Sequence, residues 1–279
     1  MIRKVIIGLT TFIFMVFCEV FPQSGIAESD NSKNYRWDKF SISAGGFLTT
    51  MNSDLQIGSE KLGLGILVNL EDALGLQTST FVFRSEAEYF LGRKNRNQVL
   101  LSYFSINRRA DKTIGSDIEI GNTVYPLGTL ISSKFNLSVI KAGYAYSFYK
   151  DERVMLNAKA GLYMMPVSFT IEAFKVQKAD FIAPLPLLGI ESRFYITPKL
   201  ILRQSVDVLY VKFSVFEGSI SDILFFLDYK PVKHLGIGMG FNAFRIRFEG
   251  YDNNKYLGDI EGTIKTGVSG LMLYGRYFF

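Results

Sequence analysis

From Phe40 onward, apolar and polar side chains alternate with a period of two, and no helical stripe of useful length interrupts the pattern. Phe40, Ile42, Ala44 and Leu48 alternate with Ser41, Ser43 and Gly45. Phe81, Phe83, Ala87, Tyr89 and Leu91 alternate with Arg84, Glu86 and Glu88, and Leu200, Leu202, Val206, Val208 and Tyr210 with Arg203, Ser205 and Asp207. The same alternation over Val154–Met164, Leu188–Phe194 and Leu235–Asn242 predicts strands with two unlike faces. Ten strands are expected, near 38–50, 79–92, 96–108, 133–149, 153–169, 184–196, 198–215, 218–230, 232–248 and 264–279. Eight or twelve remain open, because 54–70 and 117–131 also alternate and could be hairpin extensions or an added strand pair. Two strands fit less well: Leu100, Phe104 and Ile106 crowd the polar face of 96–108, and 133–149 changes phase near Ile140, as at a bulge.

The connections alternate in length. GRKNR, YKDER, ITPK and KPVKH are short turns, while 51–78, 109–132, 170–183 and 249–262 are long, polar and glycine-bearing. Only the link around Phe216 to Ser219 is short on the long-loop side. An up-and-down antiparallel meander with its long loops at one end produces this rhythm. The segment NLEDALGL, 69–76, can form a helical turn with Leu70, Ala73, Leu74 and Leu76 on one side, a loop cap or interior plug.

Alternation alone does not say which face meets which solvent. A soluble barrel hides its apolar phase, whereas a transmembrane barrel turns it toward lipid. The first residues bear on the choice. MIRKVIIGLTTFIFMVFC opens with Arg3 and Lys4 and runs apolar for too short a stretch to span a bilayer, and Gly25 and Ala27 suit a cleavage site. Residues 1–27 are expected to be a secretory signal peptide, leaving 28–279 as one domain. Cys18 follows the bulky Phe17, a poor context for lipid attachment, so it is expected to leave with the signal peptide. The remaining chain has no cysteine for a disulfide, thiolate metal site or thiol nucleophile. Removing Arg3, Lys4 and Glu19 leaves 29 basic and 25 acidic residues, a charge of +4 spread along the chain, which does not argue for nucleic acid. No apolar run of eighteen follows, so a helical span is not expected. Aromatic residues bunch at strand ends, as at Tyr144–Tyr149 and Tyr277–Phe279, where interfacial girdles belong. The expected fold is all-β, a transmembrane antiparallel up-and-down β-barrel.

The chain ends LMLYGRYFF, with Leu271, Leu273, Tyr277 and Phe279 in one phase. This resembles the C-terminal strand of small bacterial outer-membrane β-barrel proteins, the broad group that includes OmpA-, OmpX- and OmpW-like barrels. The stretch from Pro184 to Phe248 looks like the same group, and the resemblance covers about Trp37 to Phe279. It implies that the four residues face lipid and form an insertion signal for the barrel-assembly machinery. It also implies a Gram-negative outer-membrane location, with membrane lipid and lipopolysaccharide as surroundings.

If the apolar phase meets lipid, the other phase points into the lumen. It carries Arg84, Lys141, Lys159, Arg193, Arg203 and Arg276 with Glu86, Glu88, Glu191, Asp207, Asp222 and Asp228. Six cations against six anions suit mutual pairing across a narrow lumen better than a pore of one selectivity. About eight strands leave room mainly for side chains, and ten sit near that closed end. The expected role is structural or surface-interacting, with a narrow solute channel as the alternative and an outer-membrane enzyme behind both.

Catalysis finds little support. The single histidine, His234, lies in the KPVKH turn, away from the long loops where a hydrolase base would be needed. Glu86 with Glu88, and Asp222 with Asp228, are carboxylates expected as lumen neighbours. No cofactor is expected: the glycines of GLGIL and GIGMG alternate on a strand with no helix after them, unlike a phosphate loop. The acidic stretch Glu249, Asp252, Asp259 and Glu261 could hold calcium or simply be a solvated loop. Arg93, Lys94, Arg96, Lys150, Arg153, Lys199, Lys230 and Lys233 collect in the short turns, where anionic head groups are candidate partners.

Overall fold

The computed structural model describes residues 37–57, 68–120, 123–173, 176–212, 216–252 and 260–279. The expected signal peptide, 1–27, lies outside them, as do GLGIL and Asp259. Ten long strands form the wall: β1 Phe40–Ile57, β2 Ser79–Leu91, β3 Asn97–Thr113, β4 Leu130–Lys150, β5 Val154–Glu172, β6 Val176–Thr197, β7 Leu200–Lys212, β8 Phe216–Tyr229, β9 Leu235–Asp252 and β10 Ile260–Phe278. Each pairs antiparallel with its sequence neighbour, and β10 returns to β1, so the sheet closes. The closing ladder runs from Ser41↔Phe278 to Ile57↔Gly262, and the Phe279 amide donates to the Phe40 carbonyl at 2.9 Å. The LMLYGRYFF segment is therefore the strand that seals the barrel.

The strands extend farther toward the long-loop end than the alternation suggested. Residues 118–120 and 123–125 form a separate hairpin, and Val68–Asn69 adds briefly to β1. A five-residue helix, α1 (Leu70–Leu74), follows, capped by the Asn69 side chain and ended by Gly75 at φ 71°. That left-handed conformation suits glycine. Leu70 and Leu74 are buried and Gly75 packs near Lys112 on β3, so α1 caps the interior at the long-loop end.

No phase change occurs near Ile140. The inward phase of β4 runs unbroken through Ile131, Ser133, Phe135, Leu137, Val139, Lys141, Ala145 and Ser147. The register slips instead between Ser147 and Tyr149, which turns both Phe148 and Tyr149 outward. Just below, the Tyr149 hydroxyl and the amides of Arg153 and Val154 donate to Asp151 at 2.8, 2.7 and 2.6 Å. Burial opposes its ionisation, but these donors hold its carboxyl below the usual range and fix the turn.

What changes along β4 is the chemistry of each face. Toward the short turns, the outside is apolar: Ile140, Tyr144, Tyr146 and Phe148. Toward the long loops it is polar, with Ser132, Lys134, Asn136 and Ser138, while the inside becomes apolar. Every strand with described side chains in both halves follows suit. Outward residues pass from Val99, Leu101 and Tyr103 to Ser105, Asn107 and Arg109 on β3, and from Leu235–Ala243 to Arg245 and Arg247 on β9. On β10 they pass from Tyr277, Leu273 and Leu271 to Ser269 and Lys265. The apolar belt covers Leu235–Ala243 on β9 and Leu271–Phe279 on β10, close to the length of strand that crosses hydrocarbon. Above it, Phe104, Ile106, Phe135, Val167, Phe169, Phe244, Ile246 and Phe248 fill the interior as in a water-exposed barrel. Phe104 and Ile106, which crowd the inner face of β3, belong to this filling, while Leu100 sits lower, opposite Glu88.

Replacing Met239, exposed at the middle of the belt on β9, with Arg is expected to destabilise the barrel by about 2–4 kcal/mol. Asn107→Arg, on the outward face above the belt, is expected to change stability by less than about 1 kcal/mol. Equilibrium refolding into lipid vesicles against urea measures both.

Candidate functional site

The inward phase below the apolar filling brings all twelve predicted charges together. Eleven are buried, and Glu86 has a side chain only 13% exposed. Their centre is Glu88 on β2. It accepts both terminal nitrogens of Arg193 on β6, at 2.7 and 3.0 Å, and one of Arg203 on β7 at 3.1 Å. Arg276 on β10 donates to its second oxygen as well as to Ser41 at 2.8 Å. Arg203 also reaches Glu86 at 2.7 Å and Asp228 on β8 at 3.0 Å, and Arg193 returns to Glu191 at 2.5 Å. In a ring of ten strands, β2 and β7 are diametrically opposed, so the Arg203 pairs cross the full lumen.

A second group lies beside the first. Lys141 on β4 contacts Asp207 on β7 directly and approaches Asp222 on β8 to 3.5 Å. Lys159 on β5 takes the other Asp207 oxygen at 2.7 Å and donates to Ser205. Arg84 donates to Asn242 on β9 at 2.8 Å, and Asn242 passes a bond to Asp222 at 2.6 Å. Arg84 lies 4.0 Å from Glu86, where the two groups meet. The first group holds three arginines and four carboxylates, the second three cations and two carboxylates. Each is left one charge off balance, and together they are neutral.

Several members lie outside the charge pattern. Tyr163 donates to Asp222 at 2.8 Å, Tyr274 to Asp228 at 2.6 Å and Asn157 to Glu191 at 2.9 Å. Each shares the phase of a charged residue on its own strand, so parity places it inward, but only the tertiary structure supplies its partner. The GIGMG glycines also serve this region. A Cβ on Gly238 would lie 2.2 Å from the Tyr274 ring, and one on Gly240 2.0 Å from that of Phe226. Two aromatic side chains lie flat against the β9 wall because these positions carry no side chain.

Side chains cross the interior at three levels. At the level of the belt these are the ion pairs, and Arg203 lines two small cavities among them. Above, Phe104 meets Phe244 edge-on at 5.6 Å within the apolar filling. At the long-loop end, Arg108 on β3, buried over the Phe135 ring, contacts Glu71 of α1 and donates to Ser53 on β1 at 2.7 Å. Glu71 in turn accepts the Ser53 amide at 2.8 Å. This latch was not apparent in the sequence, where Glu71 lies in a loop and Arg108 ends a strand.

The other candidates are dispersed. His234 remains in its exposed turn, with Nδ1 2.8 Å from the Phe278 carbonyl. Glu249 lies on β9, paired with Arg247 at 3.2 Å, and the side chains of Asp252, Asp259 and Glu261 lie outside the described residues. Among the short-turn cations, Lys230 pairs with Asp38 at 2.5 Å and Lys150 donates to the Asn95 carbonyl at 2.8 Å. Leu271, Leu273, Tyr277 and Phe279 all face outward at the sealing strand, Leu273 67% exposed.

No protein-family model and no curated protein matches the sequence. Solved structures match the fold. The outer membrane protease OmpT from Escherichia coli superposes with a TM-score of 0.54 at 9% identity, over 87% of this chain and 97% of that one. Ail, the attachment invasion locus protein of Yersinia pestis, gives a TM-score of 0.38 at 14% identity, over 87% and 99%. The outer membrane protein AlkL gives 0.37 at 13%, over 91% and 97%. The fold is that of the OmpT barrel, and the apolar belt marks the level at which the wall meets lipid.

Removing one partner of a buried ion network leaves uncompensated charge behind. Glu88→Ala, which takes from three guanidinium groups the carboxylate they share, is expected to destabilise the barrel by about 3–5 kcal/mol in the same refolding assay.

Proposed function

We propose that this chain is a non-enzymatic integral outer-membrane β-barrel whose lumen is held shut by its ion network. Its role is structural or surface-interacting, exercised through the long loops. The observation that carries this is the convergence of Arg193, Arg203 and Arg276 on Glu88, which ties four strands together across the interior. A conduction path would need water between these groups, and they bond to one another instead. For catalysis, the described carboxylates of the lumen are committed to cations, and His234 lies at the opposite end from the long loops.

In the same proposal, residues 1–27 are removed on export and 28–279 form a single barrel domain. Leu271, Leu273, Tyr277 and Phe279 present the sealing strand to the assembly machinery. The belt is solvated by outer-membrane lipid and lipopolysaccharide.

Planar-bilayer recording tests the closed lumen. The expected result is no conductance step from the wild-type chain. Steps that change size in Arg203→Ala or Glu191→Ala would establish the narrow-channel alternative instead.

A further inference from the structure

One outward side chain within the belt is out of keeping with its surroundings. The outward series of β7 runs Leu200, Leu202, Gln204, Val206, Val208, so a primary amide stands with two apolar residues on either side of it. The register sets Gln204 opposite Ser192 on β6 and Phe225 on β8. Phe225 is in turn opposite Phe241, and Phe241 opposite Leu271, all three exposed on the outer face. The row that contains Gln204 is therefore a row of the lipid-facing belt, and Gln204 occupies the middle of the apolar series on its own strand.

Among the described residues, neither Gln204 nor Ser192 has a side-chain hydrogen-bond partner. Asn97, an outward amide at the lower edge of the belt, differs in accepting the Tyr144 hydroxyl. The Gln204 amide carries two donor hydrogens and an acceptor oxygen. The main-chain groups of a closed barrel are committed to their ladders, and hydrocarbon supplies neither donor nor acceptor, so this polarity goes unanswered within one chain. The surface around it suits close approach. Leu188 and Ile190 on β6 are exposed, and the residues opposite them on β5 are the small Ala160 and Ala158. Where β7 leaves the belt, Lys212 is paired with Glu217 at 3.0 Å, so this cation does not oppose a like face.

We propose that the outer face of β6 and β7 is the surface on which a second copy of this chain docks within the membrane, the two Gln204 amides pairing across a two-fold axis. The proposal rests on the membrane reading above, since only hydrocarbon denies the amide water. Self-complementarity carries it. A two-fold axis beside Gln204 sets the N–H of each amide against the C=O of the other, and the match needs no second kind of partner. Polar side chains join membrane spans for the same reason. An acyl chain cannot supply these bonds, and an unlike protein would need a polar group of its own at the same depth. Ser192, opposite Gln204, lies at the same seam and adds a hydroxyl to it.

The test uses the full chain, folded in detergent, and sedimentation equilibrium over a range of protein-to-detergent ratios. The wild type is expected to pass from monomer to dimer as the ratio rises. Gln204→Leu should weaken the dimer by about tenfold, the worth of a pair of side-chain hydrogen bonds in a membrane. It should leave the barrel at least as resistant to urea, because it removes a polar group from the belt. Leu101→Ala, exposed in the belt of β3 on the far wall, should leave the dimer unchanged. Heat-modifiable gel mobility confirms that each variant is folded. A wild type that stays monomeric at every ratio would overturn the proposal and leave the face to lipid or to an unlike protein, with the membrane reading intact. A dimer unaffected by Gln204→Leu, or weakened equally by Leu101→Ala, would also overturn it. Failure of the wild type to enter any detergent micelle or bilayer would remove the membrane reading itself.

Discussion

A peptide group facing hydrocarbon can bond only to another peptide group. That constraint governs this molecule, because any open edge within the belt would leave N–H and C=O groups without partners, each costing several kcal/mol. The sheet therefore closes, β10 onto β1, along a ladder of seventeen paired positions ending at the last residues of the chain. An aromatic terminus, odd in a soluble domain, is here the seam of the wall. Its outward rings and leucines meet acyl chains while its backbone completes the ring.

The same wall serves two solvents in succession. Through the belt, apolar groups point outward and charges inward; above it the arrangement reverses, with serines, asparagines, lysines and arginines outside and a packed apolar interior. Neither half could be filled like the other. An apolar outer face above the belt would lie in water, and a polar one within it would lie in hydrocarbon. The strands of eighteen to twenty-two residues among β1, β4, β5, β6, β9 and β10 are long because they build both halves. β7 and β8, of 13 and 14 residues, are shorter.

Inside the belt, twelve charges in a space with little room for water must answer one another. Charge balance alone would permit many pairings. The structure selects one in which Glu88 serves three arginines and the two slightly unbalanced groups cancel through Arg84 and Glu86. A buried network of this kind adds little stability over an apolar filling of the same shape. It does tie β2 to β6, β7 and β10, which no local ladder does, and so fixes the shape of the lumen. The apolar filling and the Arg108–Glu71 latch tie strands across the same interior by different chemistry.

The sequence by itself determined the strand set, the alternation of faces, the inward phase of all twelve charges and the outward phase of Leu271, Leu273, Tyr277 and Phe279. A period of two is a property of the extended backbone and needs no tertiary knowledge to read. What it could not determine was where along each strand the surrounding solvent changes. On β4 that change resembled a slip of phase near Ile140, because an apolar inward face and an apolar outward face look alike once the strand has crossed the boundary. The real slip, at Phe148, left no mark in a run of aromatics. Pairings were also beyond the sequence: which carboxylate meets which cation depends on strands separated by up to 188 residues, as for Arg276 and Glu88. Only closure of the ring brings such positions within hydrogen-bonding distance.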